Sequence, residues 1–341
     1  MSEQLLAILK RKLEETSSLV ALDPETKRNA LKEELQYYVL NFIYHHPLYG
    51  RWVMYGGSAL RICHDLDRMS VDLDFEVADI VTAEYLGTLK DHLEKYFSGT
   101  YGTDASFLVV KVTNGRGLLL KFNVGKGLTF GDASNQVHVK IDLNHFIAPK
   151  TVTERFPINR NQLSFVIVTY NQSALMASKV AAIFLRGTRG VGKELFREKG
   201  RDIYDLLWYM GKKIVPDFDY LHAKDVSFAD PRALFDKLTV KMNDVSDTNL
   251  RQDLFPLFTN RTYIENWLQN WRESFLRLVK EYAIHTVTKL EKIEIQQDFS
   301  TDVFYFLFRY ASDEGQVRIL YALSDYWIDY GEGNISTAPE K

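Results

Sequence analysis

Cysteine is almost absent from this sequence: Cys63 stands alone among 341 residues. A single thiol cannot build a disulfide framework or a cysteine-based zinc site, and it suits a reducing cytosol. An excess of either charge is missing as well. Lys and Arg total 42 against 45 Asp and Glu, a formal net charge of −3. No global field therefore calls for a nucleic acid, although a local basic patch stays open. No run approaches the roughly 18–20 consecutive apolar residues of a membrane span. The first residues, Met1-Ser2-Glu3-Gln4, lack the basic-then-apolar layout of a signal peptide, and Leu5 to Leu13 is broken by Lys10, Arg11 and Lys12. The expectation is a cytoplasmic protein without a membrane partner. Internal repeats and recognisable linkers are lacking too. What is present is an ordinary globular composition, 46% hydrophobic and 26% charged. That excludes disorder and supplies enough apolar material for two domains, or one large core with a helical extension.

The first fifty residues read as two helices. Leu5, Leu6, Leu9 and Leu13 recur at helical spacing, and Asp23-Pro24-Glu25 is a helix start with proline at its first position. Leu31, Leu35, Tyr38 and Phe42 carry an apolar stripe on until Pro47 and Gly50 end it. Short strands then follow at Trp52–Tyr55, Val71–Val77, Phe107–Val112, Leu118–Val124, Val137–Asn144 and Ser164–Val168, with a helix over Thr82–Phe97. Beyond Asn171 the pattern predicts helices over Ser173–Leu185, Phe196–Met210, Pro231–Met242 and Tyr263–Tyr282. Val303–Tyr310 and Gln316–Leu323 flank Ser312-Asp313-Glu314-Gly315 and read equally as a hairpin or as one interrupted helix. Helices, then a mixed sheet, then a helical part is an α+β order.

Chemistry concentrates in Tyr55-Gly56-Gly57-Ser58-Ala59-Leu60-Arg61 and Arg68-Met69-Ser70-Val71-Asp72-Leu73-Asp74-Phe75. Alternation on a strand turns Asp72 and Asp74 to one face and Val71, Leu73 and Phe75 to the other. Two like charges so placed repel, unless divalent cations of the kind that clamp an in-line phosphoryl displacement lie between them. A Gly-Gly-Ser turn opening a helix lets backbone N–H groups approach a polyphosphate, with the Ser58 hydroxyl as a further contact. In Val137–Asn144 the odd positions are apolar, so His138, Lys140, Asp142 and Asn144 share the opposite face. Asp142 is thus a third carboxylate on that face, able to serve as a metal ligand or as the base for an attacking hydroxyl, or simply an acid on the wet face of a half-buried strand. Lys179 sits on an apolar stripe with Leu175, Met176, Ala182 and Ile183, and must reach water or find an anion. Asp202 and Asp205 share a helix face, where Arg201 and Asp205 are spaced for an i,i+4 ion pair.

Gly57-Ser58, thirteen residues, then Asp72-Leu73-Asp74-Phe75 resembles the signature of the DNA polymerase β-like nucleotidyltransferases. The longer form, from Gly56-Gly57-Ser58-Ala59-Leu60 through Arg68-x-Ser70-x-Asp72-Leu73-Asp74-Phe75, resembles more narrowly the AbiEii/AbiGii nucleotidyltransferase toxins, the group that includes the MenT toxins. Leu175 to Ala182 is similar to that family's lysine helix, and Arg201-Asp202-Ile203-Tyr204-Asp205-Leu206 to its Arg/Lys-Asp-x-x-Asp-Leu helix. The likeness spans roughly residues 50 to 215.

The resemblance implies an α+β fold, a polymerase β-like mixed sheet with flanking helices followed by a mainly helical C-terminal domain. It implies an enzyme that binds an NTP with Mg²⁺ or Mn²⁺ and transfers NMP to an acceptor hydroxyl. The acceptor would be a tRNA 3′ end, whose extension blocks translation, and a cognate antitoxin would be the partner. Asp72, Asp74 and Asp142 become metal and catalytic residues, joined by Lys179 and Asp202. Gly56, Gly57, Ser58, Arg68, Lys179 and Asp205 become nucleotide-binding residues, with Arg68 positioning the nucleotide or bracing Asp72. A relative that modifies a protein or a small molecule such as an antibiotic, and a non-catalytic nucleotide-binding module, are the alternatives. The expected organisation is N-terminal helices over 1–50, a catalytic domain over 51–170, a helical domain over 171–285 and a C-terminal segment over 286–341 of open structure.

Gly187 to Glu194 nearly spells a P-loop, but Glu194 stands where Ser or Thr must hold Mg²⁺ and a helix precedes it where a strand should. Arg186, Arg189, Lys193, Arg197, Lys199 and Arg201 make the same stretch a basic loop, either solvated or able to hold a triphosphate or RNA backbone. His45, His46, His138 and His145 have no zinc spacing. Aromatic residues of the C-terminal half read as core.

Overall fold

The computed structural model describes residues 2–17, 22–113, 115–125, 128, 135–187, 189–191, 194–196, 198–228, 231–286, 290–298, 303–310, 316–322 and 325–329. Of residues 2, 17 and 189–196, and from 282 onward, the backbone alone is described. The chain divides into two units, one of residues 1–227 and 241–278, the other of residues 228–240 and 279–341.

The first unit opens with two helices, α1 (Ser2–Ser17) and α2 (Pro24–His45). Asp23 caps α2 by accepting from the Thr26 N–H at 2.9 Å, the local chemistry its Asp-Pro start anticipates. Seven strands then form a mixed sheet: β1 (Val53–Tyr55), β2 (Asp72–Val77), β3 (Leu108–Thr113), β4 (Gly117–Asn123), β5 (Gln136–His145), β6 (Thr153–Arg160) and β7 (Leu163–Tyr170), in the order β3-β4-β5-β2-β1-β7-β6. Between strands lie α3 (Gly56–Cys63) and α4 (Ala83–Tyr101). Pairing is antiparallel except for β1 with β7 and β2 with β5. Alternation is plain along β5, where Val137, Val139, Ile141 and Leu143 are buried and the residues between them half-buried. On β2, Leu73 and Phe75 go into the core, and the Phe75 ring meets Tyr44 of α2. Asp72 and Asp74 therefore take the other face of β2, on a cavity that α5 (Gln172–Leu185) also lines.

Helices follow: α6 (Gly200–Gly211), α7 (Phe218–Ala223), α8 (Pro231–Asn243), α9 (Asp247–Leu254) and α10 (Arg261–Thr286). A mixed sheet with flanking helices followed by a helical part is the α+β fold expected. Three details differ from the sequence reading, and one open choice is resolved. The edge strand β6 was not anticipated, because its residues alternate only between exposed and half-buried and show no apolar face. The helix expected from Phe196 begins at Gly200, since 194–196 pairs as a strand, β9 (Glu194–Phe196), with β8 (Arg189–Val191). The short helices α7 and α9 were not distinguished. In the second unit the open choice at 303–323 resolves as strands: β10 (Leu290–Asp298), β11 (Val303–Tyr310), β12 (Gln316–Ala322) and β13 (Asp325–Asp329) form an antiparallel meander. The Ser312–Gly315 turn lies outside the described residues. So do Thr188, Gly192 and Lys193 of the near-P-loop, although α5 does precede that stretch as expected. Among the described residues no helix is long and apolar enough to cross a membrane.

Candidate active site

Strand pairing assembles the carboxylates. Parallel registration of β2 with β5 sets Asp74 beside Asp142 and Asp72 beside Lys140. Antiparallel registration of β1 with β2 sets Tyr55 beside Asp74, which delivers the start of α3 to the same place. There Gly56 has φ +72°, a left-handed conformation that glycine adopts at little cost, and a Cβ would stand 3.1 Å from Asp74 Oδ2. At Gly57 a Cβ would lie 2.6 Å from the Arg68 guanidinium and 3.2 Å from Ser70 Oγ. Two glycines thus let backbone reach the carboxylates and Arg68. The cavity they border holds about 370 Å³ and is completed by α5 and α6.

Its electrostatics are crowded. Burial, together with Asp72 and Asp142, pushes the Asp74 carboxyl up to about 6. Asp142 Oδ2 accepts from the Lys140 ammonium, whereas its Oδ1 is buried and accepts no hydrogen bond among the described residues. Arg201 stands 3.5 Å from Asp72. Behind these, Lys179 donates to Asp202 Oδ1 at 2.9 Å and pairs with Asp205 Oδ2 at 2.9 Å. Arg68 grips both oxygens of Asp205 at 2.7 Å, and Arg186 meets Asp202 Oδ2 at 2.6 Å. Burial works against the charge of Lys179, but Asp202 and Asp205 outweigh it and hold the ammonium above its ordinary range. Burial likewise opposes both carboxylates, and the cations outweigh it: Asp202 and Asp205 are held below the ordinary range. At Lys199 burial and the neighbouring Arg201 outweigh Asp202 and Asp72, and its ammonium is lowered to about 8.

Of the residues singled out from sequence, the structure gathers Gly56, Gly57, Arg68, Asp72, Asp74, Asp142, Lys179 and Asp202 around one cavity. Ser58 and Asp205 are not in its wall. Ser58 is fully buried, its hydroxyl donating to the Tyr55 carbonyl at 3.5 Å, and Asp205 is enclosed by Arg68 and Lys179. Arg68 braces Asp205 rather than Asp72, and Arg201 turns to Asp72 rather than to Asp205. The anion that Lys179 requires is supplied by the chain itself. Ser70, Arg116 and Lys140 line the cavity without having been singled out as site residues. Lys140 was on the face of Asp142 in the strand pattern, whereas Arg116 sits in the turn between β3 and β4 and reaches the site only through the sheet order.

The donor set bears on whether a divalent cation fits. Among the described residues no group of three or more His, Cys, Asp or Glu side chains closes on a single metal position. Yet Asp72, Asp74 and Asp142 offer hard oxygen ligands from adjacent strands, one Asp142 oxygen is buried and unused, and Asp74 is pushed toward protonation by its neighbours. Such a set fits a hard divalent ion.

Residues 39–292 match the family model of the nucleotidyl transferase AbiEii toxin of type IV toxin–antitoxin systems. Among curated proteins none matches. The chain is similar to JHP933 from Helicobacter pylori at 15% identity and a TM-score of 0.41, over 75% of this chain and 94% of that one. It is also similar to a candidate nucleotidyltransferase from H. pylori at 15% identity and a TM-score of 0.40, over 74% and 95% of the two chains.

Proposed function

The chain belongs to the AbiEii nucleotidyl transferase toxin family, and from that premise we propose that it transfers NMP from an NTP to the 3′-terminal hydroxyl of a tRNA, blocking translation, under the control of a cognate antitoxin. Residues 51–170 would carry the transfer chemistry, and the helices of 171–285 would supply Lys179 and Asp202. The observation that carries this reading is the register that sets Asp74 against Asp142, with Asp72 on the same face and the glycine-led start of α3 alongside.

The terminal phosphates rest against the Gly56–Gly57 backbone, where no side chain intervenes. Arg116, Lys199 and Arg201 neutralise them from the cavity wall. Lys179 has three N–H donors, and Asp202 and Asp205 take two, leaving one for a phosphate oxygen. The acceptor oxygen attacks the α-phosphorus while the bond from phosphorus to the pyrophosphate oxygen breaks. The acceptor proton passes to the Asp142 carboxylate. Mg²⁺ or Mn²⁺, held by Asp72, Asp74 and Asp142, would supply charge neutralisation at the transferring phosphoryl group.

The test is transfer of α-³²P label from each of the four NTPs onto total tRNA with Mg²⁺, comparing wild type with Asp72→Ala. Label that appears on tRNA and vanishes in the variant supports both the chemistry and the acceptor. Label on protein or small molecules alone overturns the tRNA acceptor, and no transfer to anything, with no NTP bound, overturns the enzyme.

A further inference from the structure

A second cavity, of about 460 Å³, adjoins the carboxylate cavity. The two share Arg186, Lys199 and Asp202. Away from that shared mouth its walls are partly aliphatic, from Ile183 of α5, Ile203 of α6, Met242 at the end of α8 and Val245, and partly polar, from Glu198, Lys241, Asp244 and Ser246. Its far side is fixed by Glu198, which accepts from the Ser246 N–H at 3.1 Å and from the Asn249 amide at 2.9 Å. None of Asp72, Asp74 and Asp142 enters these walls. A third space, of about 450 Å³, is different: it is lined by Asp74 and Asp142 and runs out past Tyr220 and Lys224. Arg186 borders all three, and its buried Nε–H has no hydrogen-bond partner among the described residues.

We propose that the cavity between α5, α6 and the end of α8 is the nucleoside pocket, receiving the base and ribose of the NTP whose phosphates occupy the carboxylate cavity. The inference rests on the proposed nucleotidyl transfer and says where each substrate lies. An NTP joins a polyanion to a flat heterocycle with apolar faces and polar edges, and the second cavity offers aliphatic side chains beside the polar groups of Glu198, Lys241 and Ser246, with cations at the mouth it shares with the carboxylate cavity. The acceptor belongs elsewhere, because its hydroxyl must meet a carboxylate that takes its proton. The space past Tyr220 provides Asp142 for this, and the pocket at Met242 provides none of the three carboxylates. Arg186, at the junction, donates from its unused Nε–H to the sugar–phosphate linkage.

Binding of ATP, CTP, GTP, UTP, inorganic tripolyphosphate and total tRNA, measured by calorimetry on wild type, Val245→Trp and Asp244→Trp, tests the assignment. Asp244 is exposed at the cavity rim, so its variant keeps the fold even where tryptophan at the buried Val245 does not. Wild type is expected to bind at least one NTP more tightly than tripolyphosphate. Each variant that folds should lose about tenfold or more of that NTP affinity, with tripolyphosphate binding unchanged. Unchanged NTP affinity in Asp244→Trp, with tripolyphosphate still bound, overturns the nucleoside pocket and leaves nucleotidyl transfer standing. Weakened tRNA binding with intact NTP binding overturns it in favour of an acceptor pocket. If wild type binds neither NTP nor tripolyphosphate, the triphosphate site itself fails, and this inference falls with it.

Discussion

Lys179, Asp202, Asp205, Arg68 and Arg186 form one connected set of charges beneath the cavity, and the middle of that set cannot be thinned without cost. Asp205 is fully buried and answers two buried cations at once. Asp205→Asn leaves Arg68 and Lys179 short of a counter-charge, so we expect a loss of about 3–5 kcal/mol in urea-unfolding stability. The pH signature follows from the directions of the shifts. Asp202 and Asp205 are held below the ordinary carboxylate range, so their contribution is present above that range and is lost as pH falls through their lowered values. Lys179 is held above its ordinary value, so its contribution is present below that value and is lost as pH rises through the raised one. The acid limb of the stability curve should therefore flatten in Asp205→Asn. A separate prediction concerns Lys199, lowered to about 8. Tripolyphosphate affinity in the presence of EDTA should weaken as pH rises past about 8. In Lys199→Arg that step should disappear, because guanidinium keeps its proton.

Register does at the scale of elements what pairing does for single residues. Gly117 lies opposite Asp142 across β4 and β5, and a Cβ there would stand 2.2 Å from the Ile141 carbonyl oxygen. Backbone cannot move aside as a flexible side chain can, so Gly117→Ala must part the two strands. We expect it to cost about 1–3 kcal/mol and to speed hydrogen exchange at Leu143, whose N–H donates to the Arg116 carbonyl at 2.8 Å. Gly99→Ala in α4, with nothing within 4 Å of the new Cβ, should be neutral or slightly stabilising. This scale is also where the sequence was most readable. Alternation located β5 and put Asp142 on the face away from the core, because one side of that strand is fully buried. β6 escaped notice for the opposite reason: it is an edge strand containing Pro157 and has no buried side. Pairings across the chain were beyond reach. Nothing near Arg68 in sequence indicates that its partner lies 137 residues away, or that the anion for Lys179 lies 23 residues away on another helix.

For the whole molecule, the decisive quantity is how little of its charge is global. The chain carries −3 overall, yet the carboxylate cavity is lined by seven cationic side chains against four carboxylates. Attraction for a polyanion is therefore concentrated at the site and reaches only about a Debye length, about 8–10 Å at moderate salt. A net charge of −3 supplies no global field to draw a nucleic acid along the protein. An RNA acceptor that engages the protein mainly by its 3′ terminus should accordingly meet little more than the local surplus of about three cations. With about 0.7 counterions released per neutralised phosphate of a single strand, log K for tRNA should fall against log salt with a slope of about −2. Fluorescence titration of labelled tRNA across a salt series measures it directly. A slope of about −5 or steeper would mean that the acceptor lies along an extended basic surface, and it would move the recognition of RNA from the cavity mouth to the exterior of the protein.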